Sequence, residues 1–220
     1  MGVLVKICGI NSVAAADAAA HAGADFAGLV FHKNSPRNLE LDLASRLAER
    51  MRSRLRVVAL TADARDDELA RIVEEVEPDM LQLHGRETPE RIGAIRARFG
   101  LAVIKAVAIA SVEDFAAVPA IEAAADMLMF DARAPEGAAA PGGHGAAFDW
   151  QLLRRRKFSR PWFLAGGLSA SNVARALAVS GAPAVDVSSG VETAPGTKDP
   201  QLIAAFVAAA KSAVLNEARS

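Results

Sequence analysis

The sequence of 220 residues lacks several features that define common protein classes. It contains one cysteine, Cys8, which cannot form an internal disulfide, and it shows no Cys/His spacing of the zinc-site type. Its 25 Lys and Arg residues are balanced by 26 Asp and Glu residues. Because no excess charge exists to hold the chain on nucleic acid or on an anionic membrane, neither is an expected partner. Any anion site must therefore be local.

Long hydrophobic runs are missing as well. No apolar run approaches the roughly 18 residues needed to span a bilayer, and the N-terminus lacks the pattern of a secretory signal. Together with the single free thiol, this predicts a cytoplasmic protein. The 52% hydrophobic and 23% charged residues are ordinary for a globular fold, and we expect one domain over residues 1–220.

The chain does contain a regular alternation of short apolar runs and longer Ala-, Leu-, Glu- and Arg-rich segments at helical spacing. Near-continuous apolar runs are typical of strands covered by helices on both faces. Strands are predicted at Leu4–Cys8, Phe26–Phe31, Val57–Thr61, Met80–His84, Ala102–Val107, Met127–Asp131, Trp162–Ala165 and Ala184–Ser188. Helices are predicted at Ser12–Ala22, Leu41–Arg52, Asp66–Val76, Thr88–Phe99, Ser111–Ala124, Asp149–Arg155, Ser171–Ser180 and Pro200–Asn216.

Eight successive βα units predict an α/β fold with a parallel sheet closed into a single (β/α)8 TIM barrel, for which about 200 to 250 residues is a usual length. The alternative is an open doubly wound sheet. We favour the barrel because polar and glycine-rich residues follow many of the strands, whereas an open sheet gathers them at one switch point.

Three glycine-rich turns lie where a barrel carries its functional residues, after the predicted strands. Glycines let backbone N–H groups approach an anion closely, and two of these turns follow the seventh and eighth strands, the usual phosphate site of a barrel. Each turn alone would also fit an ordinary tight turn. The predicted phosphate-binding residues are Gly142, Gly143, Gly145, Gly166, Gly167, Ser188, Ser189 and Gly190.

Two strand ends carry candidates for proton transfer. Cys8 ends the first predicted strand, and its thiol can act as a base if nearby positive charge lowers its pKa; Lys6 points to the same face of that strand. Asp131 ends an apolar strand, where a carboxylate must be hydrogen-bonded or protonated, and a protonated carboxyl suits a proton donor. The alternatives are a small buried hydrophobe for Cys8 and a helix or turn cap for Asp131.

Four more polar residues follow strands and are candidates for binding. Arg37 offers a planar fork to a carboxylate, although a solvated loop arginine fits equally well. His84 is either a ligand contact or a structural histidine. Gln82 and Asp186 end or nearly end strands of the same set.

Read together, these residues resemble the phosphoribosylanthranilate isomerase family. The matching strings run in the family's order from the first strand to the last helix. They are Val5-Lys6-Ile7-Cys8-Gly9, Gly23-Ala24-Asp25 with Gly28, Phe31 and Ser35-Pro36-Arg37, Leu81-Gln82-Leu83-His84-Gly85, Gly142-Gly143 with Gly145 and Phe148-Asp149-Trp150, Leu164-Ala165-Gly166-Gly167-Leu168 with Asn172-Val173, and Val185-Asp186-Val187-Ser188-Ser189-Gly190-Val191-Glu192 with Gly196 and Lys198-Asp199.

The resemblance implies an Amadori rearrangement in L-tryptophan biosynthesis, performed by general acid/base catalysis without cofactor or metal. N-(5'-phosphoribosyl)anthranilate becomes 1-(2-carboxyphenylamino)-1-deoxyribulose 5-phosphate. At the family's acid position, Asp131 would protonate the furanose ring oxygen and open the ring to a Schiff base. At its base position, the thiolate of Cys8 would remove the proton from sugar C2.

The resemblance also implies how a small phosphorylated substrate is held. Arg37 would bind the anthranilate carboxylate, the three turns would bind the phosphate, and Gln82, His84 and Asp186 would line the pocket. One departure is His144, which stands where the family usually has a small hydroxyl residue. As quaternary state we expect a monomer or a homodimer.

Two alternative functions come from different classes. The first is another phosphate-binding barrel, such as an indole-glycerol-phosphate synthase or a different sugar-phosphate isomerase. The second is a catalytically silent barrel that binds a phosphorylated metabolite as a sensor or scaffold. The combination of Cys8, Asp131 and Arg37 argues against the first, since a synthase of that kind would be expected to need lysine and glutamate at its centre. Intact acid and base candidates argue against the second.

Overall fold

The computed structural model of the chain describes residues 2–133 and 147–217. Eight parallel strands close into a barrel in chain order, with the first strand paired to both the second and the eighth, so the predicted (β/α)8 barrel is confirmed. The strands are β1 (Leu4–Cys8), β2 (Phe26–Phe31), β3 (Arg56–Thr61), β4 (Met80–Leu83), β5 (Ala102–Ile109), β6 (Met127–Ala132), β7 (Trp162–Leu164) and β8 (Ala184–Val187).

Helices follow most of these strands, and local signals in the sequence set their ends. Ser12 and Thr88 cap two helices with their side chains, and Gly23 and Gly100 end the same helices in the left-handed conformation. The helices are α1 (Val13–Ala22), α2 (Leu41–Met51), α3 (Asp66–Val76), α4 (Pro89–Phe99), α5 (Val118–Ala124), α6 (Val173–Ser180) and α7 (Pro200–Glu217).

Two predicted helices differ from the structure. After β5, the segment Val112–Ala117 is a 3-10 helix and α5 begins only at Val118, because Pro119 has no N–H and fits only the first turn of an α-helix. The prediction of a helix at Asp149–Arg155 is wrong. That stretch forms a short 3-10 helix, Trp150–Leu153, which ends before the left-handed Arg155 (φ 61°).

A hairpin after β8 was not predicted. Its strands, β9 (Glu192–Ala194) and β10 (Thr197–Lys198), pair antiparallel. The turn between them contains Gly196 at φ +82°, and the carbonyl of Gly196 accepts a hydrogen bond from Asn11 at the end of the barrel that carries the β1–α1 loop. The Pro195-Gly196 pair was a turn signal that marks this hairpin in the sequence.

An aspartate before alternate strands fixes the N-terminal end of the barrel. Each of these carboxylates accepts a hydrogen bond from a backbone N–H of the preceding strand, so it holds two neighbouring strands in register. The pairs are Asp25 with Val5, Asp79 with Val57 and Asp126 with Val103, at 2.7, 2.6 and 3.0 Å.

Inward-facing side chains change from apolar to polar along the barrel axis. Near the N-terminal end the interior is filled by a buried apolar cluster that includes Phe26, Met80 and Phe163. The phenyl rings of Phe26 and Phe163 meet edge-on, with their centroids 5.3 Å apart. Polar side chains follow on the same strand faces, because alternate residues of a strand share a face. The inward series are Leu4, Lys6 and Cys8 on β1; Met80, Gln82 and His84 on and after β4; Met127, Met129 and Asp131 on β6; Ala184, Asp186 and Ser188 on and after β8.

Candidate active site

The predicted acid, base and pocket residues are brought to one end of the barrel. Cys8 and Asp131 face the interior from β1 and β6, and because all strands are parallel both lie at the C-terminal mouth. The other four predicted residues lie around the same mouth. Gln82, His84 and Asp186 are largely buried in or next to strands, and Arg37 lies in the loop after β2.

A lysine and an aspartate accompany the Cys8 thiol. Lys6 is fully buried, and its ammonium Nζ donates to Asp186 Oδ1 at 2.8 Å across the β1–β8 pair. A Cβ placed on Gly28 of the neighbouring strand would lie 3.0 Å from Cys8 Sγ and 3.1 Å from Lys6 Nζ. The missing side chain at Gly28 therefore leaves the space in which thiol and ammonium converge.

Burial is the largest single influence on the pKa of Cys8 and on that of Lys6. Burial raises the pKa of the Cys8 thiol above its ordinary value, and the positive charges of Lys6 and Lys198 offset only part of that rise. Positive charge thus stands near the thiol, as expected, but it does not bring the pKa of Cys8 below its ordinary value. For Lys6, burial opposes the charged form, yet the charges of Asp186 and Cys8 outweigh it, so the pKa of Lys6 is raised.

A second charged group, formed by Arg37, Glu192 and Lys198, lies beside Cys8. The Arg37 guanidinium donates to both Glu192 carboxylate oxygens, Nε at 2.9 Å and Nη2 at 2.6 Å, and Lys198 Nζ lies 2.6 Å from Glu192 Oε1. Burial alone would raise the pKa of Glu192, but the hydrogen bonds from Arg37 and Lys198 hold it below its usual value. Burial lowers the pKa of Lys198.

Glu192 and Lys198 had been given no role from the sequence. They stand on β9 and β10, so the unpredicted hairpin delivers both to the mouth. Lys198 Nζ also donates to the Ser188 carbonyl at 2.9 Å and to Ser188 Oγ at 3.2 Å, which ties the hairpin to the loop after β8. Both residues belong to the strings that match the family, and this match was the only indication in the sequence of a role for them.

The third group is a chain of contacts that ends at Asp131. Gln82 Nε2 lies 3.1 Å from His84 Nδ1, and His84 Nε2 lies 3.2 Å from Asp131 Oδ2. The other carboxylate oxygen, Asp131 Oδ1, accepts a hydrogen bond from the Ala132 backbone N–H at 2.8 Å. Both oxygens of the predicted acid are therefore held from the protein side.

A buried ion pair between Lys105 and Glu87 braces the segment that carries His84. Lys105 Nζ contacts Glu87 Oε2 at 2.7 Å and donates to the carbonyls of Leu83 and Gly85, the two neighbours of His84, at 3.3 and 2.6 Å. Sequence reasoning missed this pair. The signal was a lysine inside the otherwise apolar run of β5.

The loops after β7 and β8 are in direct contact. Gly166 and Gly167 have φ +86° and +62°, and their backbone N–H groups donate to no acceptor in the described part of the chain. A Cβ on Gly190 would overlap the carbonyl oxygen of Leu168, so only glycine allows this approach. Of the predicted phosphate-binding residues, Gly142, Gly143 and Gly145 lie outside the described residues.

Residues 2–133 and 147–217 contain neither a candidate metal site nor a helix that could cross a membrane. No group of three His, Cys, Asp or Glu side chains there is arranged to hold a metal ion. No helix in these ranges combines the length and the apolar character needed to cross a membrane.

Comparison with known proteins gives a consistent result. The family model described as N-(5'-phosphoribosyl)anthranilate (PRA) isomerase matches residues 5–209. A protein of that name from Rhodopseudomonas palustris (strain BisA53) is 55% identical over 208 residues, which cover 94% of this chain and 95% of the relative.

Solved structures agree with the sequence comparison. A crystal structure of phosphoribosyl anthranilate isomerase from Thermotoga maritima superimposes with a TM-score of 0.85 at 33% identity, covering 96% of this chain and 99% of that one. Another isomerase structure, in complex with reduced 1-(o-carboxyphenylamino)-1-deoxyribulose 5-phosphate, has a TM-score of 0.82 at 31% identity, with coverage of 96% and 99%. The chain belongs to the N-(5'-phosphoribosyl)anthranilate isomerase family.

Proposed function

We propose that this chain catalyses the Amadori rearrangement of N-(5'-phosphoribosyl)anthranilate to 1-(2-carboxyphenylamino)-1-deoxyribulose 5-phosphate, a step of L-tryptophan biosynthesis. The observation that carries the proposal is the placement of a carboxyl on β6 and a thiol on β1 at the same mouth of a barrel of this family. The reaction needs one group that gives a proton and one that takes a proton, and it needs no cofactor or metal.

The first step is assigned to Asp131. Its carboxylic acid gives a proton to the furanose ring oxygen while the bond between that oxygen and C1 breaks, and the nitrogen lone pair forms the C=N bond of a protonated Schiff base. Asp131 becomes a carboxylate in this step. The Ala132 N–H donates to Asp131 Oδ1, and His84 Nε2 lies 3.2 Å from Asp131 Oδ2, so polar groups face both oxygens and favour the charge that develops there.

The second step is assigned to Cys8. Its thiolate takes the proton from sugar C2, and the C–H electrons form a C1=C2 double bond as the Schiff base nitrogen regains its lone pair. The resulting enolamine tautomerises to the ketone. Because burial raises the pKa of Cys8, the thiolate is the minor form at neutral pH, and Lys6 and Lys198 supply the positive charge that stabilises it.

The remaining predicted residues bind the substrate. We assign the anthranilate carboxylate to Arg37, whose guanidinium is held in place by Glu192. The phosphate is assigned to the contacting loops that carry Gly166, Gly167 and Ser188 to Gly190. Within the described residues, the backbone N–H groups of the left-handed Gly166 and Gly167 donate to no other acceptor. The predicted contribution of Gly142, Gly143 and Gly145 is retained as part of this proposal.

The test is a fluorescence assay that follows consumption of phosphoribosylanthranilate by the wild type, Cys8→Ala and Asp131→Asn. Each substitution removes one proton-transfer group, so we expect kcat to fall by about 10²–10⁴-fold while KM changes much less. Asp42→Asn is the matched control, since Asp42 is an exposed carboxylate on α2, and we expect this substitution to leave turnover unchanged.

Two outcomes would contradict the proposal. Well-folded wild type that fails to consume phosphoribosylanthranilate would exclude the activity. A variant at Cys8 or Asp131 that keeps near-normal kcat would exclude the role given to that residue.

Three wider predictions complete the proposal. We expect the protein to act in the cytoplasm and residues 1–220 to form one domain, which a single cooperative unfolding transition would support. A monomer or a homodimer is expected, and sedimentation velocity distinguishes these two states.

A further inference from the structure

The amide of Gln82 is buried and only half satisfied. Gln82 is fully buried, and its Nε2 contacts His84 Nδ1 at 3.1 Å and Met129 Sδ at 3.3 Å. Its carbonyl oxygen Oε1 has no hydrogen-bond partner within the part of the chain that the structure describes. A buried polar side chain is usually fully hydrogen-bonded, so this arrangement calls for a functional reason.

The direction of the Gln82 amide determines where His84 carries its proton. An amide nitrogen only donates, so His84 Nδ1 accepts from Gln82 and the imidazole proton of the neutral ring must sit on Nε2. That nitrogen lies 3.2 Å from Asp131 Oδ2. The ring therefore presents an N–H donor to the carboxyl group of Asp131.

The backbone on both sides of His84 is fixed independently. Lys105 donates to the carbonyls of Leu83 and Gly85, Glu87 accepts from the Gly85 N–H at 3.3 Å, and the His84 N–H donates to the Thr61 carbonyl at 2.8 Å. The imidazole is thus oriented both through its side-chain contact and through its main chain.

We propose that His84 is a positioning residue for Asp131, held as the Nε2–H tautomer by Gln82, and that it does not act chiefly as a substrate contact. This rests on the proposed function. The Nε2–H group faces Asp131 Oδ2, fixes the orientation of the carboxyl group, and stabilises the carboxylate that remains after proton transfer. The Gln82 amide thus leaves Oε1 unpaired among the described residues in the orientation that places Nε2 against His84 Nδ1.

The kinetic test compares His84→Asn with His84→Gln. The longer Gln side chain can bring an amide N–H towards the position of His84 Nε2, whereas the Asn amide reaches only the position of Nδ1. A positioning role predicts that His84→Asn lowers kcat by more than about tenfold, up to the 10²–10⁴-fold that a general acid contributes, with KM changed less than about threefold. His84→Gln is expected to recover part of that loss.

The spectroscopic test needs no substrate. In ¹⁵N-labelled protein, the ring signals of His84 are identified among those of the four histidines by their loss in His84→Gln. We expect a protonated Nε2 and an unprotonated Nδ1 in the wild type, and a mixture of tautomers in Gln82→Met. Met129→Leu is the control, because it removes the sulfur contact of Gln82 and leaves the contact with His84.

Each result decides a separate question. A His84 protonated at Nδ1, or a Gln82→Met variant with an unchanged tautomer, overturns the inference even if the enzyme turns over its substrate. A His84→Asn variant that raises KM and keeps kcat also overturns it, in favour of substrate contact. Absence of turnover in the wild type counts against the proposed function alone, since the tautomer is measured without substrate.

Discussion

Cys8 illustrates how burial and charge compete at a single residue. The thiol lies beside two lysines, yet it is buried at the end of β1, and burial has the larger effect on its pKa. Asp186 acts in the same direction as burial, because its negative charge disfavours a nearby thiolate. Burial at this position therefore favours the protonated thiol over the thiolate.

The raised pKa of Cys8 predicts an alkaline rise of both thiolate absorbance and kcat/KM. With one cysteine in the chain, ultraviolet thiolate absorbance reports Cys8 directly. We expect the transition above the ordinary pKa of a thiol, and we expect Asp186→Asn to shift it to lower pH because a negative charge is removed. A transition below the ordinary value in the folded wild type would contradict this assignment, and Cys8→Ser serves as the blank.

The same shift affects stability with a defined sign. The folded-state pKa of Cys8 lies above the unfolded one, so the folded state holds its proton more tightly. This contribution to stability is complete below the unfolded pKa and is lost as the pH rises through the folded pKa. Cys8→Ser should therefore remove the fall in unfolding free energy that Cys8 causes at alkaline pH.

At the scale of elements, the loop after β7 packs against the end of β6. Gly166 adopts φ +86°, and a Cβ there would lie 2.8 Å from the Ala132 backbone nitrogen and 3.0 Å from Asp131 Oδ1. These are the two atoms that form the hydrogen bond holding the predicted acid. The glycine thus links the loop after β7 and the predicted acid sterically.

Gly166→Ala is expected to damage activity, whereas Gly181→Ala is not. Both glycines are left-handed, so each substitution costs about 1–2 kcal/mol of backbone strain. A Cβ at Gly181 meets nothing within 4 Å, whereas one at Gly166 must displace Asp131 or Ala132. Displacing the predicted acid, Asp131, by about 1 Å is expected to lower kcat by about 10²-fold. The fluorescence assay measures this loss, and urea unfolding measures the change in stability. Equal kcat values in the two variants would refute the steric link.

At the scale of the whole molecule, one apolar cluster inside the barrel supports all eight strands. Phe163 on β7 is fully buried in that cluster and meets Phe26 on β2 edge-on. The cluster fills the interior below the polar mouth, so it also forms the floor beneath Lys6 and Gln82. Stability and site geometry therefore depend on the same packing.

Phe163→Ala is expected to lower the free energy of unfolding by about 3–5 kcal/mol, because it leaves a cavity in the barrel interior. Phe99→Ala, at the half-buried end of α4, provides the control and should cost less than about 2 kcal/mol. Urea denaturation of both variants measures the difference. A Phe163→Ala loss as small as that of Phe99→Ala would show that the interior closes around the gap.

The sequence by itself determined the order and type of most elements. Apolar runs marked all eight barrel strands to within two residues, and capping residues such as Ser12 and Thr88 marked helix starts, because these signals act between near neighbours. Pro119 and Arg155 show the limit, since 3-10 segments replaced predicted α-helix where the local backbone could not continue one.

Candidate site residues were named from motifs and resemblance, but their partners depended on tertiary structure. Glu192 reaches Arg37 across 155 positions, and Asp186 reaches Lys6 across 180. Nothing in the local sequence reports such contacts, because they form only when β8 closes against β1 and the hairpin folds over the mouth. Barrel closure also buries Cys8, so the fold decided the direction of its pKa shift. Desolvation depends on all the atoms packed around a group, and the neighbours of Cys8 in the sequence are only a small part of those atoms.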